Sequence, residues 1–427
     1  MGLRDFGWVR QRLLSLAAYD LHFVRDREFQ AKILGIESPW IVDDVVVTTQ
    51  PKTVETHVSY EGSASCPVCG KPAPRYDMRE RRWRHLDIYE YAAYVTAQVP
   101  RVECPDDGVR QVKVPWADGR SGFTALFERL AISLLQEMSI SAVARTLRLT
   151  WDQIDGIMQR AIDRGLALRK DRMVTRLGID EKSFKKRHKY VTIVTDLDAG
   201  EVIWVGSGRK LQTLDAFWKS LSAEQLAGIV GVAMDMWPAY IESTLAHLPD
   251  AEEKIVFDKF HVMKYLTHAV DLERRAAGRS DPTLKKTRYQ WLRNPLNMSQ
   301  SERIEFAKLR KDHVRLGRAW AIKEAFAHFW EYSYVGAART FFAGWYGWAI
   351  RSRFRHIKDV ARLIGRHIEN ILTYLRIPIT NAASESVNSK IQWFKYQAHG
   401  FRNEARFMRA ILFHCGGLAL HATHLSS

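Results

Sequence analysis

No apolar run in this chain approaches the roughly 18 residues needed to cross a bilayer, and Met1 to Leu14 carry scattered charges instead of a secretory core. Cysteine is scarce. There are four in 427 residues: Cys66, Cys69 and Cys104 fall in one short region, and Cys415 stands alone among apolar neighbours. That usage excludes a disulfide scaffold and fits a reducing compartment. A soluble, cytoplasmic protein with no membrane partner is expected. Carboxylates are also in deficit, with 48 Asp and Glu against 64 Lys and Arg, a formal charge of +16. Such an excess favours a polyanionic partner, nucleic acid ahead of an anionic membrane surface. The length suggests two to four domains.

What is present is punctuated by changes of period. Residues 1–39 read as a helical segment without recognisable chemistry. From residue 40 to 118 a β unit is expected, opening with a hairpin of Trp40–Thr49 and Thr53–Tyr60 around Pro51. Within it, Cys66-Pro67-Val68-Cys69-Gly70 is a knuckle of two thiolates with a glycine for the tight turn behind them. The opposing knuckle begins at Cys104 but carries Asp107 where a second Cys or His is expected. Three thiolates and a carboxylate can hold a structural Zn²⁺, with His85 a competing fourth ligand; a degenerate ribbon without metal is the alternative. Arg75, Arg79, Arg81, Arg82 and Arg84, with Trp83 among them, suit phosphate contacts or an exposed basic strand equally.

Residues 119–172 switch to helical spacing. Ser141 and Thr150 read as N-caps and Ala144 as the small residue at a close crossing, which gives a helix-turn-helix with Thr150, Trp151 and Gln153 at the start of a recognition helix. An α/β segment follows over 173–264. Leu177-Gly178-Ile179-Asp180 is expected to be a buried strand ending on its carboxylate at a cleft, with a basic loop after it; a solvated turn aspartate is the competing reading. Two more strands complete a meander. A fourth, Gly228–Asp235, again ends on Asp, and a fifth ends at Asp258-Lys259-Phe260-His261.

Three antiparallel strands, then helix, strand, helix, strand, resemble the ribonuclease-H-like fold of DDE transposases and integrases. The motifs CPVCG with a downstream CP pair, LGIDEKSFKKRHKY, AMDMWPAY, FDKFHVMK and TNAASESVNSKIQWFKYQAHGFRN, in this order, make the chain from about 40 to 415 similar to the ISL3 family of bacterial insertion-sequence transposases. The resemblance implies an α+β multidomain fold: a zinc-ribbon-like unit, a helix-turn-helix, and a ribonuclease-H-like core interrupted by an all-helical insertion at 265–375 and completed by 376–427. It implies a triad of Asp180, Asp235 and Glu385 binding two Mg²⁺ or Mn²⁺ ions, since in-line phosphodiester chemistry needs carboxylates converging from separate elements.

On the helix that carries Glu385, the apolar face is expected to be Val387, Ile391 and Phe394, turning Glu385, Asn388 and Gln392 toward the aspartates. Asp258, His261 and Asn388 are expected beside the ion ligands, with Asp258 also reading as an N-cap. Lys182, Lys185, Lys186, Arg187, Lys390 and Lys395 are candidate DNA contacts. Trp291, Trp320, Phe329, Trp330, Phe341, Phe342, Trp345 and Trp348 read as core. The implied partners are the element's terminal inverted repeats and target DNA, bound by a homodimer or larger synaptic assembly in the bacterial cytoplasm. A structure-specific nuclease and a silent, transposase-derived regulator are the alternatives.

Overall fold

The computed structural model describes residues 26–119, 121–169, 172–185, 189–379 and 382–421. Residues 1–25, Lys186, Arg187, Thr380 and Asn381 lie outside these, as does the side chain of Lys185. The chain divides into two compact units, one reaching Ala161 and taking in the stretch from Leu420, the other Ile162–Ala419. None of the described helices is long and apolar enough to cross a membrane.

After a short helix α1 (Asp26–Leu34), the first unit is built on a five-stranded sheet. The expected hairpin is β1 (Trp40–Thr49) with β2 (Lys52–Tyr60), antiparallel. β4 (Ala92–Cys104) pairs parallel with β2 and antiparallel with both β3 (Arg75–Arg84) and β5 (Gly108–Gln111). Three tryptophans from distant positions form its core: Trp40 and Trp83 each meet Trp116 edge-on, at 4.9 and 5.5 Å. Trp83 is fully buried and is not a phosphate contact. The arginines around it are occupied as well, Arg82 on Glu55, Arg84 on Asp87 and Arg81 on the carbonyls of Gly119 and Ser121. Period-2 alternation turns Trp83 inward while the strand keeps its basic composition.

Three helices follow: α2 (Ala125–Glu137), α3 (Ile140–Leu147) and α4 (Trp151–Leu168). Ser139 caps α3 by accepting from Ala142 N at 3.3 Å; the expected cap, Ser141, lies inside the helix. The chain needs its serine one step before the first helical residue, and Ser139 holds that place. Thr150 does cap α4, accepting from Gln153 N while Gln153 Oε1 accepts from Thr150 N. That reciprocal pair is a capping box.

The second unit holds a five-stranded sheet ordered β10-β9-β6-β7-β8. β6 (Arg176–Lys185), β7 (Lys189–Asp196) and β8 (Glu201–Ser207) are the expected antiparallel meander; β9 (Gly231–Met234) runs parallel to β6, and β10 (Ile255–Phe257) parallel to β9. Helices α5 (Leu211–Trp218), α6 (Ala223–Gly228), α7 (Pro238–His247) and α8 (Ala251–Lys254) link the strands. Between Lys259 and Arg376 the described elements are all helical: α9 (Lys259–Ala277), α10 (Arg288–Leu292), α11 (Gln300–Asp312), α12 (Val314–Ala327), α13 (Val335–Arg351), α14 (Arg355–Arg366), α15 (Ile368–Arg376) and short 3-10 turns. They share one apolar core with Leu177, Ile179 and Val194 of the sheet, and Trp291, Phe329 and Trp345 sit in it. Trp348 is the exception among the expected core rings, 44% exposed. The other face of the sheet, Phe184, Val191, Ile193 and Val202, packs on α16 (Ala382–Gln397) and α17 (Glu404–Cys415).

Candidate active site and metal centre

β6 does not end at Asp180. Its ladder with β7 runs on through Asp180↔Ile193 to Lys185↔Lys189, so the expected strand-end aspartate is mid-strand and Glu181–Lys185 are strand, not loop. The cleft arises differently. On its other edge β6 pairs with β9 only as far as Gly178↔Ala233, because β9 stops at Met234. Asp180 therefore stands on a strand whose one edge has just been released, and Asp235 is the residue that follows the strand's stopping neighbour. Each aspartate folds an oxygen back on the next backbone N–H, Asp180 Oδ1 on Glu181 N and Asp235 Oδ1 on Met236 N, both at 2.7 Å.

Glu385 reaches the same place from α16. Val387, Ile391 and Phe394 are buried against the sheet, and Glu385, Asn388 and Gln392 line the cleft, as the helical spacing predicts. Close approach of helix and strand requires Gly178: a Cβ there would lie 2.8 Å from Ser384 Oγ on α16. Asp180, Asp235 and Glu385 thus border one cleft of about 310 Å³ together with Glu181, Lys182, Tyr240, His261 and Lys264. Asn388 Nδ2 donates to Asp180 Oδ2 at 2.8 Å, and Lys182 Nζ lies 3.6 Å from the same oxygen. His261 is buried at the cleft wall. Asp258 is buried at the N-cap position of α9, but its side chain makes no capping bond.

Three groups here escape a reading of sequence alone. Tyr265 donates to Asp235 Oδ2 at 3.3 Å; it lies one turn after His261, on the same helix face, which is the signal that finds it. Glu181 is a further carboxylate in the cleft. Burial, with Asp180 and Asp235 nearby, raises its pKa, while the Arg209 guanidinium opposes the rise. Arg209 Nη1 donates to Glu181 at 3.0 Å, with its guanidinium 4.2 Å from the Tyr190 ring and 4.5 Å from that of Trp237.

The candidate DNA contacts fare unevenly. Thr150 and Gln153 are engaged with each other at the start of α4, and Trp151 beside them is half-buried. Lys390 is exposed on α16. Lys395 ties α16 to the sheet, donating to Ser183 O at 2.7 Å; burial, then Lys182, lowers its pKa.

In the first unit, Cys66, Cys69, Cys104 and Asp107 present their ligand atoms within 4.8 Å of one another. Gly70 (φ +75°) and Gly108 (φ +70°) close the turns behind the two knuckles, in the left-handed region glycine tolerates. Asp107 Oδ2 lies 3.2 Å from Cys66 Sγ and 3.5 Å from Cys104 Sγ. His85 is not part of this group. Its Nδ1 lies 2.8 Å from Thr124 Oγ1, at the cap of α2, and burial lowers its pKa to about 4. Asp107, not His85, is the fourth member of the cluster.

Sequence families agree with this layout piece by piece. A family described as a zinc-finger of transposases IS204/IS1001/IS1096/IS1165 matches residues 62–107, and the helix-turn-helix domain of transposase family ISL3 matches 112–162. The ISL3 family described as Transposase matches 177–411, more than half of the chain. Among curated proteins, the transposase for insertion sequence element IS1557 of Mycobacterium tuberculosis is 32% identical over 376 residues, covering 79% of this chain and 82% of its own. The transposase for insertion sequence element IS1001 of Bordetella parapertussis is 27% identical over 356 residues, covering 81% and 87%. With the carboxylate cleft, the thiolate cluster and the caps Ser139 and Thr150 each inside its matching segment, the chain belongs to the ISL3 family of transposases.

Proposed function

We propose that this protein is the transposase of an insertion sequence. It reads the element's terminal inverted repeats with the ribbon and the helix-turn-helix, and it cuts and joins DNA in the cleft of Asp180, Asp235 and Glu385. The observation that carries this reading is the arrival of the three carboxylates at one cleft from β6, the end of β9 and α16. The second unit's core is read as ribonuclease-H-like, with its sheet order and the helical run between Lys259 and Arg376 in support.

The donor set fits a hard divalent cation, since it is made of carboxylate oxygens with cationic and amide neighbours. Asp180, Asp235 and Glu385 would hold two Mg²⁺ or Mn²⁺ ions, which when bound activate the attacking oxygen and stabilise the leaving one. The chain's own residues do the rest. Asn388 fixes the rotation of the Asp180 carboxylate and Tyr265 that of Asp235. Lys182 and Lys264 add positive charge where a phosphodiester must enter among carboxylates. Three thiols and Asp107 fit a structural zinc, with two-residue spacings that suit tetrahedral ligation. Cutting two ends in concert requires a dimer or larger assembly on DNA.

The test is end cleavage and strand transfer on a terminal-repeat duplex in Mg²⁺. Asp180→Asn, Asp235→Asn and Glu385→Gln should each abolish both while leaving duplex binding intact. Retained cleavage in any of them, with folding unchanged, would remove that residue from the catalytic set.

A further inference from the structure

Beside the cleft lies a second groove of about 680 Å³, lined by Ser207 to Thr213 and Ala239, and it shares two residues with the cleft, Tyr190 and Trp237. Arg209 stands between those two rings at the boundary. Its backbone is fixed too, because Trp237 Nε1 donates to Arg209 O at 3.2 Å. Of the five guanidinium donors, Nη1 meets Glu181, and among the described residues the others have no protein acceptor. Lys210 follows, exposed. Among the described residues, no carboxylate lines the groove.

We propose that this groove carries the DNA strand as it leaves the cleft, with Arg209 as the first phosphate contact beyond the scissile position and Lys210 the next. The proposal rests on the catalytic reading of the neighbouring cleft. Continuity through Tyr190 and Trp237 gives the path, and Lys210 together with Arg209, which meets Glu181 through one nitrogen alone, gives the charge that a phosphodiester backbone requires. The volume is that of a small-ligand pocket, which admits a few nucleotides of one strand and not a duplex. Glu181 is then the resting partner of Arg209, and an arriving phosphate competes with it. The aromatic clamp keeps the guanidinium from following either partner into solvent.

The experiment measures binding of a terminal-repeat duplex, either blunt at the cleavage point or carrying a single-stranded extension past it. Every variant is made in an Asp180→Asn background, so nothing is cut. Arg209→Ala and Lys210→Ala should each weaken the extended substrate only, and each should reduce the slope of log affinity against log salt by about 0.7, the value for one phosphate on a single strand. Glu181→Gln should strengthen it, because the competitor for Arg209 is gone. Equal effects on blunt and extended ends, or a Glu181→Gln chain that binds the extension more weakly, would overturn the proposal. Lys210 is exposed, so its variant decides the matter even if Arg209→Ala misfolds. Cleavage by the parent chain is scored separately, so failure of the catalytic reading remains distinguishable.

Discussion

Asn388 Nδ2 and Asp180 Oδ2 meet at 2.8 Å across 208 positions of sequence, and the bond ties helix α16 to the first strand of the sheet at the point where chemistry is proposed. Asn388→Ala should leave the fold intact and lower end cleavage about 10- to 100-fold, the range for losing a group that orients a metal-binding carboxylate. Cleavage rates on the terminal-repeat duplex, with Mg²⁺ titrated, measure it. Unchanged rates at every Mg²⁺ concentration would reduce the bond to packing.

Tyr265 holds Asp235 more loosely, at 3.3 Å. Tyr265→Phe keeps the ring and removes the donor, so its cost should sit near or below the low end for bonds to charged groups, about 1.5 kcal/mol or roughly tenfold in rate. Thermal stability should hardly move. A drop in stability with unaltered cleavage would assign the tyrosine to the core.

The thiolate cluster should hold close to one zinc per chain, and Cys66→Ser should lose most of it. The knuckle end of the ribbon has little apolar core of its own, Ala64 and Val102 beside the buried cysteines, so stripping the metal should abolish end recognition, with no rescue by Mg²⁺ alone. Asp107→Cys should hold zinc more tightly against a chelator than the parent does. Metal content of the purified chains decides; less than about half a zinc per parent chain would indicate a ribbon held by packing alone.

Acid should destabilise the protein before carboxylates titrate widely. Burial first, then a nearby cation (Arg84 for His85, Lys390 for His414), lowers both pKa values to about 4. The unfolded chain binds these protons near pH 6.5 and the folded chain does not, so stability is full above about 6.5 and falls between there and about 4. Each shift amounts to about 3 kcal/mol at most. His85→Gln should flatten the melting-temperature profile over that window; a profile as steep as the parent's would count against it.

Ser139→Ala should cost the helix-turn-helix about 1 kcal/mol by removing the cap of α3, and Ser141→Ala distinctly less. Denaturant unfolding of the two variants ranks them, and the reverse order would contradict the capping seen here.

Where the chain's own period governs the outcome, the residues were readable. Val387, Ile391 and Phe394 recur at helical spacing, so the opposite stripe of Glu385, Asn388 and Gln392 follows from arithmetic. The hairpin around Pro51 and the Gly70 turn behind the thiols belong to the same kind. Where a partner strand decides, they were not. Asp180 reads as a terminus because its apolar run stops there, yet β7 carries the ladder on to Lys185. Trp83 among arginines looks exposed until alternation and Trp116 are known. Nothing local links Glu181 to Arg209, 28 positions away.

The placement of α16 and α17 has a further consequence for a chain that is cut short. These helices cover Phe184, Val191, Ile193 and Val202, and one of them brings Glu385. A product ending before Ala382 would lack the glutamate and would also leave that apolar sheet face bare, a surface that invites aggregation and proteolysis. If Glu385 acts as proposed, the absence that disarms a shortened copy also exposes it to clearance.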